Sequence, residues 1–328
     1  MRKKSFKRYM IDFMDIIQFY NNCHLCPRNC GANRVFGEKN PRVGFCGETD
    51  QLRVAYVGPH FGEEPPITGK NGSGTVFFTG CSLRCSFCQN YQISHQRVGS
   101  NISLEELLQK LKNMIRKNHV HNINFVTPDH FFPHVFSIVS LLRENAFDLP
   151  IIYNLSGYES VEILKSAEDY VDIYLPDFKY SDSSLAAELS KCPDYPEVAL
   201  EALTEMVRQK GLLDVCSNGG TLARKGVLVR HLILPAKIEN SMDVLTTLFV
   251  EFGSRLPLSL MSQYVPVVSN RDQDLNRSIS EEEFDLVYSH ARNLGFEHLF
   301  VQFPEKYVSP KQRISRFLPD FTKTQPFE

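Results

Sequence analysis

At 328 residues the chain is long enough to bury a large core, as one sizeable domain or two smaller ones. Its 42% hydrophobic and 23% charged content is that of an ordinary globular protein, and a formal charge of −2 supplies no electrostatic attraction for nucleic acid or an acidic membrane. Nine cysteines, an odd number gathered mostly into two sets, argue for thiol–metal chemistry in a reducing compartment rather than a secreted disulfide framework.

At the amino end, Arg2-Lys3-Lys4 opens like the head of a signal peptide, but Lys7, Arg8, Asp12 and Asp15 interrupt any apolar core behind it. No run approaches the ~18 apolar residues that a membrane span needs, so the expected location is the cytoplasm. Phe6, Tyr9, Met10, Phe13, Ile16, Ile17 and Tyr20 recur at helical spacing, which predicts an amphipathic helix docked on the body. Residues 21–74 then lose periodicity and fill with Cys, Gly, Pro and Asn, the composition of a loop-rich, metal-pinned extension. Within it Cys23, Cys26 and Cys30, completed by Cys46, offer four thiolates for a closed centre. Zinc or an auxiliary iron–sulfur cluster fits, and the residues do not separate the two.

From Thr75 the pattern becomes short apolar runs alternating with amphipathic segments. Strands are predicted at 75–79, 123–127, 150–155, 171–175, 227–234, 258–265 and 298–302. Between them, Ser103 with Glu106 and Ser280 with Glu283 form capping boxes, each opening a helix with one apolar face. Met242, Leu245, Leu248, Phe249 and Phe252 form another stripe. This alternation predicts an α/β fold, an incomplete (β/α)6-type parallel barrel with an amino-terminal cysteine-rich extension. The expected division is 1–66 for helix and extension, and 67–328 for the barrel with an aperiodic, proline-rich tail.

The first barrel strand runs straight into Thr79-Gly80-Cys81-Ser82-Leu83-Arg84-Cys85-Ser86-Phe87-Cys88-Gln89-Asn90-Tyr91. Barrel enzymes carry their chemistry on loops leaving the carboxyl ends of the strands. Three thiolates wrap one soft metal centre and leave a metal position for a non-protein partner. This C-x3-C-x-Phe-C run resembles the cluster loop of the radical S-adenosylmethionine (AdoMet) superfamily. More narrowly, the chain is similar to proteins related to pyruvate formate-lyase activating enzymes. The similarity lies in Cys26-Pro27-Arg28-Asn29-Cys30, Pro59 to Ile67, Gly72 to Phe78, Asn124 to Pro128, Asn154 to Glu159, Asp177 to Tyr180, Arg230 to Pro235 and Met261 to Tyr264. They occur in order across most of the chain.

The resemblance implies a [4Fe–4S] cluster on Cys81, Cys85 and Cys88, with AdoMet chelating the open iron. One electron from the cluster would cleave AdoMet to methionine and a 5′-deoxyadenosyl radical that takes hydrogen from a substrate. It implies AdoMet contacts at Thr127, where Val126-Thr127-Pro128-Asp129-His130 departs from the superfamily's Gly-Gly-Glu element, and at Asn154, Ser156, Asp177 and Lys179. Arg230 lies inside an apolar run, where a charge is costly unless it faces a polar cavity or a partner. That makes it a candidate carboxylate clamp, whereas His231 reads as a hydrogen-bonded core residue. His60, Glu63 and Glu64, just before Pro65-Pro66, read either as groups at the cluster mouth or as a solvated loop. Cys192 and Cys216 read as ordinary thiols.

The expected function is a radical AdoMet enzyme, with a low-potential electron donor of the flavodoxin or ferredoxin type as partner and with neither nucleic acid nor membrane. The narrower expectation is an activase acting on a glycyl radical enzyme. The alternatives are hydrogen abstraction from another peptide or a small molecule, and an iron–sulfur electron carrier or metal-pinned interaction protein.

Overall fold

The computed structural model describes residues 13–37, 43–267, 272–304 and 318–328. Of the first predicted helix, Phe6, Tyr9 and Met10 lie outside these residues; the described part is a helix over Phe13–Asn21. Tyr20 at its end is fully buried, with its hydroxyl 2.7 Å from Nδ1 of His134.

The strands are β1 (Arg53–His60), β2 (Ser73–Phe78), β3 (Ser100–Asn101), β4 (Ile123–Val126), β5 (Ile151–Leu155), β6 (Ile173–Pro176), β7 (Gly226–Val227), β8 (Val229–Leu232), β9 (Leu258–Met261) and β10 (Leu299–Gln302). They form two sheets, ordered β3-β1-β2-β4-β5-β6-β7 and β10-β9-β8. From β2 to β7, and across β8, β9 and β10, every neighbour is parallel. Helices alternate with these strands, and the two capping boxes form as the sequence predicts, with Ser103 and Ser280 accepting from the backbones of Glu106 and Glu283.

β1 is the element that composition hides, because Gly58 and Pro59 interrupt its run. It pairs antiparallel with β2 over its length but with β3 only at Arg53 and Val54, so Pro59 sits where no second neighbour needs an N–H. The predicted strand over 227–234 is two strands that part at Leu228. Gly226 and Val227 bond to β6, whereas Val229–Leu232 bonds to β9. Gly226 is required there: its φ is +123°, and a Cβ would lie 2.4 Å from the carbonyl oxygen of Leu212. The change of partner leaves a lone parallel bridge between Asp177 and Arg230, joining the two sheets beside the carboxyl ends of the strands.

Toward the amino ends, the interior is filled by Ile67, Ile152, Ile173, Leu175 and Leu228, all buried in one apolar cluster. Ile67 comes from the short helix Pro65–Thr68, which follows β1 and plugs the barrel floor. The polar groups are thereby left to the other end.

Two buried histidines set a pH response. His231 donates from Nδ1 to the Phe178 carbonyl (2.7 Å), and Nε2 lies 2.9 Å from the Ser241 hydroxyl, so the ring is satisfied in its neutral form. Burial pushes its pKa down to about 4; burial, with Arg34 nearby, does the same to His134. The unfolded chain takes up these protons near pH 6.5, the folded chain only near 4. The unfolded state therefore binds more protons between the two values, and stability falls as pH drops from about 6.5 through 4. Urea midpoints measured across this window should decline, and His231→Gln should flatten the decline. Equal slopes for both proteins would exclude His231 as a source.

Candidate active site at the carboxyl ends of the strands

The cysteine loop leaves β2 through Gly80, whose φ is +77° and whose Cβ, if it had one, would meet the Cys46 carbonyl oxygen at 2.7 Å. Arg84, also left-handed at φ 56°, turns the chain between Cys81 and Cys85. The loop is fastened by backbone bonds from Cys81 N–H to Cys46 (3.3 Å) and from Ser86 N–H to Leu189 (2.8 Å). Phe87, just before the third cysteine, is buried edge-on against Tyr180 and Tyr264 at 6.4 Å each. The aromatic position is thus an anchor that fixes the turn carrying Cys88.

Each of the three sulfurs accepts a hydrogen bond. Leu83 N–H reaches Cys81 Sγ at 3.4 Å, the Ser190 hydroxyl reaches Cys85 Sγ at 2.9 Å, and the Ser94 hydroxyl reaches Cys88 Sγ at 3.3 Å. Burial, then Cys85, pushes the Cys88 thiol up to about 11; burial, then Asp129, then Cys85 and Cys88, pushes the Cys81 thiol up as well. Such a set stays protonated when alone and becomes anionic on binding a cation. Among the described residues, no three Cys, His, Asp or Glu side chains converge as for a single metal ion.

Beside the loop lies a cavity of about 800 Å3. Cys85, Cys88, Asn154, Asp177, Lys179 and Arg230 line it. Lys179 bonds to Asp177, and Arg230 is held by two carboxylates from the turn that follows β1. Its Nη1 is 3.2 Å from Glu63 and its Nε 3.3 Å from Glu64, while among the described residues Nη2 meets only the Met261 thioether at 3.6 Å. Glu63 also accepts from Asn124 at 2.9 Å and Asn154 at 3.4 Å. Burial alone would lower the Lys179 pKa; Asp177, then Cys85, outweigh it and hold the ammonium charged. Glu64, then Glu63, do the same for Arg230.

Two residues read from the sequence as AdoMet contacts do not line the cavity. Ser156 is buried and its hydroxyl bonds to Glu159 at 3.1 Å, because Gly157 turns the chain inward against Asp177. Thr127 follows the last residue of β4 at φ 54°, with its N–H donating to the Asn154 carbonyl. A β-branched residue there carries strain of about 1–3 kcal/mol. Asp129, two residues on, is fully buried, with Nδ1 of the His130 ring 3.7 Å from its Oδ1. Of the second cysteine set, Cys23 and Cys46 are buried, Cys26 is part-buried and Cys30 is exposed. Glu63 and Glu64 are the main contributors the sequence did not commit to. The signal that points to them is a charge inside an apolar strand, which demands a partner.

Residues 75–223, which span the cysteine loop and the strands β2 to β6 around it, match the family model of the Radical SAM superfamily. This stretch is a Radical SAM domain. The cofactors of such a domain are a [4Fe–4S] cluster and AdoMet. The chain is 27% identical over 294 residues to the uncharacterized protein MJ0674 of Methanocaldococcus jannaschii, covering 86% of this chain and 77% of that one. Among solved structures it is similar to SuiB of Streptococcus suis bound to S-adenosylmethionine, with 12% identity and a TM-score of 0.45 over 69% of this chain. It is also similar to HydG, a maturase of the [FeFe]-hydrogenase, with 11% identity and a TM-score of 0.49 over 75% of this chain. The chain spans 48% and 54% of the lengths of these two. Around the Radical SAM domain, no helix among the described residues is long and apolar enough to cross a membrane.

Proposed function

We propose that Cys81, Cys85 and Cys88 hold the cluster and that AdoMet lies in the adjoining cavity against Asn154, Asp177, Lys179 and Arg230. The observation that carries this reading is the donor set. Three thiols on one loop each already accept a hydrogen bond, two of them, Cys85 and Cys88, line the polar cavity, and hydrogen bonds to sulfur are among the levers that set a cluster's potential. When bound and reduced, the cluster supplies the electron that cleaves AdoMet to a hydrogen-abstracting 5′-deoxyadenosyl radical. The chain's own residues bind and orient. Nη2 of Arg230 is the part of that guanidinium without a strong acceptor, and it suits a carboxylate. Asp177 suits ribose hydroxyls, and Lys179 lies near enough to Cys85 and Cys88 for their charges to act on it.

Reconstitution with iron and sulfide under anaerobic conditions, followed by AdoMet and dithionite, should yield 5′-deoxyadenosine. A reconstituted cluster that leaves AdoMet intact would reject the reading. For the narrower activase role, a partner protein's glycyl loop would have to reach the cavity. The enclosing segment 318–328 supports a small substrate instead.

For the second cysteine set, the reading is an anionic thiolate centre using Cys23, Cys26, Cys30 and Cys46. Its support is Arg34. This guanidinium is 1% exposed, and among the described residues no carboxylate forms an ion pair with it. Its partners are the carbonyls of Glu48, Thr49 and His130, the Tyr20 ring at 4.7 Å, and Cys23 Sγ at 3.4 Å. A buried cation is tolerated beside an anion, and thiolates are the groups available to be one. Metal analysis of a Cys81/Cys85/Cys88 triple-alanine variant should find about one site's worth of zinc or iron retained. Loss of all bound metal would reject a second centre.

A further inference from the structure

Among the described residues the barrel is not closed. The outer strands of its two sheets, β3 with β1 on one side and β10 on the other, are not hydrogen-bonded to each other. On the β1 side, residues 318–328 lie across the cavity without helix or strand of their own. Phe321 is 5% exposed, in a cluster with Tyr56, Phe77, Ile93 and Val126. Phe327 is 38% exposed and lines the cavity, its ring 4.2 Å from that of His60 and 5.4 Å from that of Phe77. Among the described residues, the hydrogen bonds that tie the segment to the body are Phe321 N–H to Gln92 (2.7 Å), Gln92 to Asp320 (3.4 Å), and the Tyr56 hydroxyl to Gln325 (3.3 Å).

The two ends of the cavity therefore differ in chemistry. One end carries the charged groups and cysteines already described; the other is an aromatic face with carboxamides and Glu328 around it. Gln302, at the end of β10, presents a buried Oε1 that accepts no hydrogen bond from the described residues. A buried acceptor without a donor is unfavourable, and a ligand's N–H or O–H removes that cost.

We propose that residues 318–328 are the size filter of this cavity, with Phe321 as anchor and Phe327 as the face the substrate meets. The substrate is then a small molecule with a flat apolar part for Phe327 and His60 and a hydrogen-bond donor for Gln302. A polypeptide loop is kept out. The inference rests on the cluster and AdoMet assignment above and deepens it. The cavity volume agrees: AdoMet takes part of the about 800 Å3, and what is left has room for a small molecule only.

The test compares access by size in the reconstituted holoenzyme. Iron loss to the bulky chelator bathophenanthroline disulfonate should rise about tenfold when 318–328 is deleted, and by a smaller factor in Phe327→Ala. Reduction by dithionite, a small reagent, should stay within about twofold in both. Lys323→Ala, an exposed change in the same segment, should match wild type. Phe327→Ala removes a part-exposed ring and keeps the anchor, so it stays informative if the deletion misfolds. Equal chelation rates in wild type, deletion and Phe327→Ala would overturn the filter. If no cluster forms, labelling of Cys88 in the unreconstituted chain decides separately. N-ethylmaleimide should react and a polyethylene-glycol maleimide should not, with the difference lost in the Phe327→Ala chain. Discrimination without a cluster would keep the filter and reject the cluster assignment; its absence would reject the filter.

Discussion

Replacing Cys85 by alanine is expected to abolish AdoMet cleavage while leaving the fold close to intact. Changes to residues that merely orient cluster ligands cost about 10–100-fold in affinity or activity, and loss of a ligand itself costs more. The structural cost is small, because the side chain gives up one hydrogen bond from Ser190, worth about 1 kcal/mol. Cys81→Ala and Cys88→Ala should behave alike. Cys192→Ala is the matched control: this thiol is also fully buried, close enough to Cys85 to feel its charge, and burial followed by Cys85 pushes it up to about 12. It should keep both cluster and activity. The measurement is 5′-deoxyadenosine formed per reconstituted cluster, beside a thermal melt of each variant. A Cys85→Ala protein that still cleaves AdoMet would remove this loop from the chemistry.

Arg230→Ala is expected to lose both stability and AdoMet binding, the first by about 3–5 kcal/mol. The guanidinium is 12% exposed, and its two carboxylates, Glu63 and Glu64, are 5% and 7% exposed. Deleting the cation leaves both charges buried with little compensation, Glu63 keeping only two asparagine amides. Combining Arg230→Met with Glu63→Gln and Glu64→Gln removes all three charges, and should recover most of the stability. Binding should not recover, because Nη2 is gone. Full recovery of AdoMet binding in the triple variant would make Arg230 a purely structural residue. An Arg230→Ala protein as stable as wild type would show the trio to be solvated.

These two expectations mark what local sequence can and cannot convey. The cysteine loop was legible because its ligands fall within eight consecutive positions, 81–88, and its anchor Phe87 lies among them. The strands β2, β4, β5, β6, β9 and β10 were legible because each is a short apolar run flanked by helix signals, and both capping boxes fell where their residues pointed. His231 was legible as a core histidine for the same reason that Arg230 was not: a neutral ring can satisfy itself locally, but a buried cation needs partners from elsewhere. Glu63 comes from 167 residues away. No pattern near Arg230 names it, and none near Phe77 names Phe321 and Phe327. Ser156 shows the converse limit. It ends a barrel strand as expected, yet one positive-φ glycine beside it turns its hydroxyl to Glu159. In β1, Gly58 and Pro59 erased the alternation that would have announced the strand, so residues 53–60 read as loop.

The hydrogen bond from Cys81 to Cys46, with the lack of room at Gly80, bears on how the protein matures. The cysteine-rich extension is the mould against which the start of the cluster loop is shaped. A chain emerging from synthesis has its extension in hand before the loop and long before the last barrel strand. The start of the loop therefore depends on the extension for its shape. Under the cluster assignment proposed above, a defect in the extension, far from any reacting atom, would surface as a cluster that is never inserted rather than as an enzyme that turns over slowly.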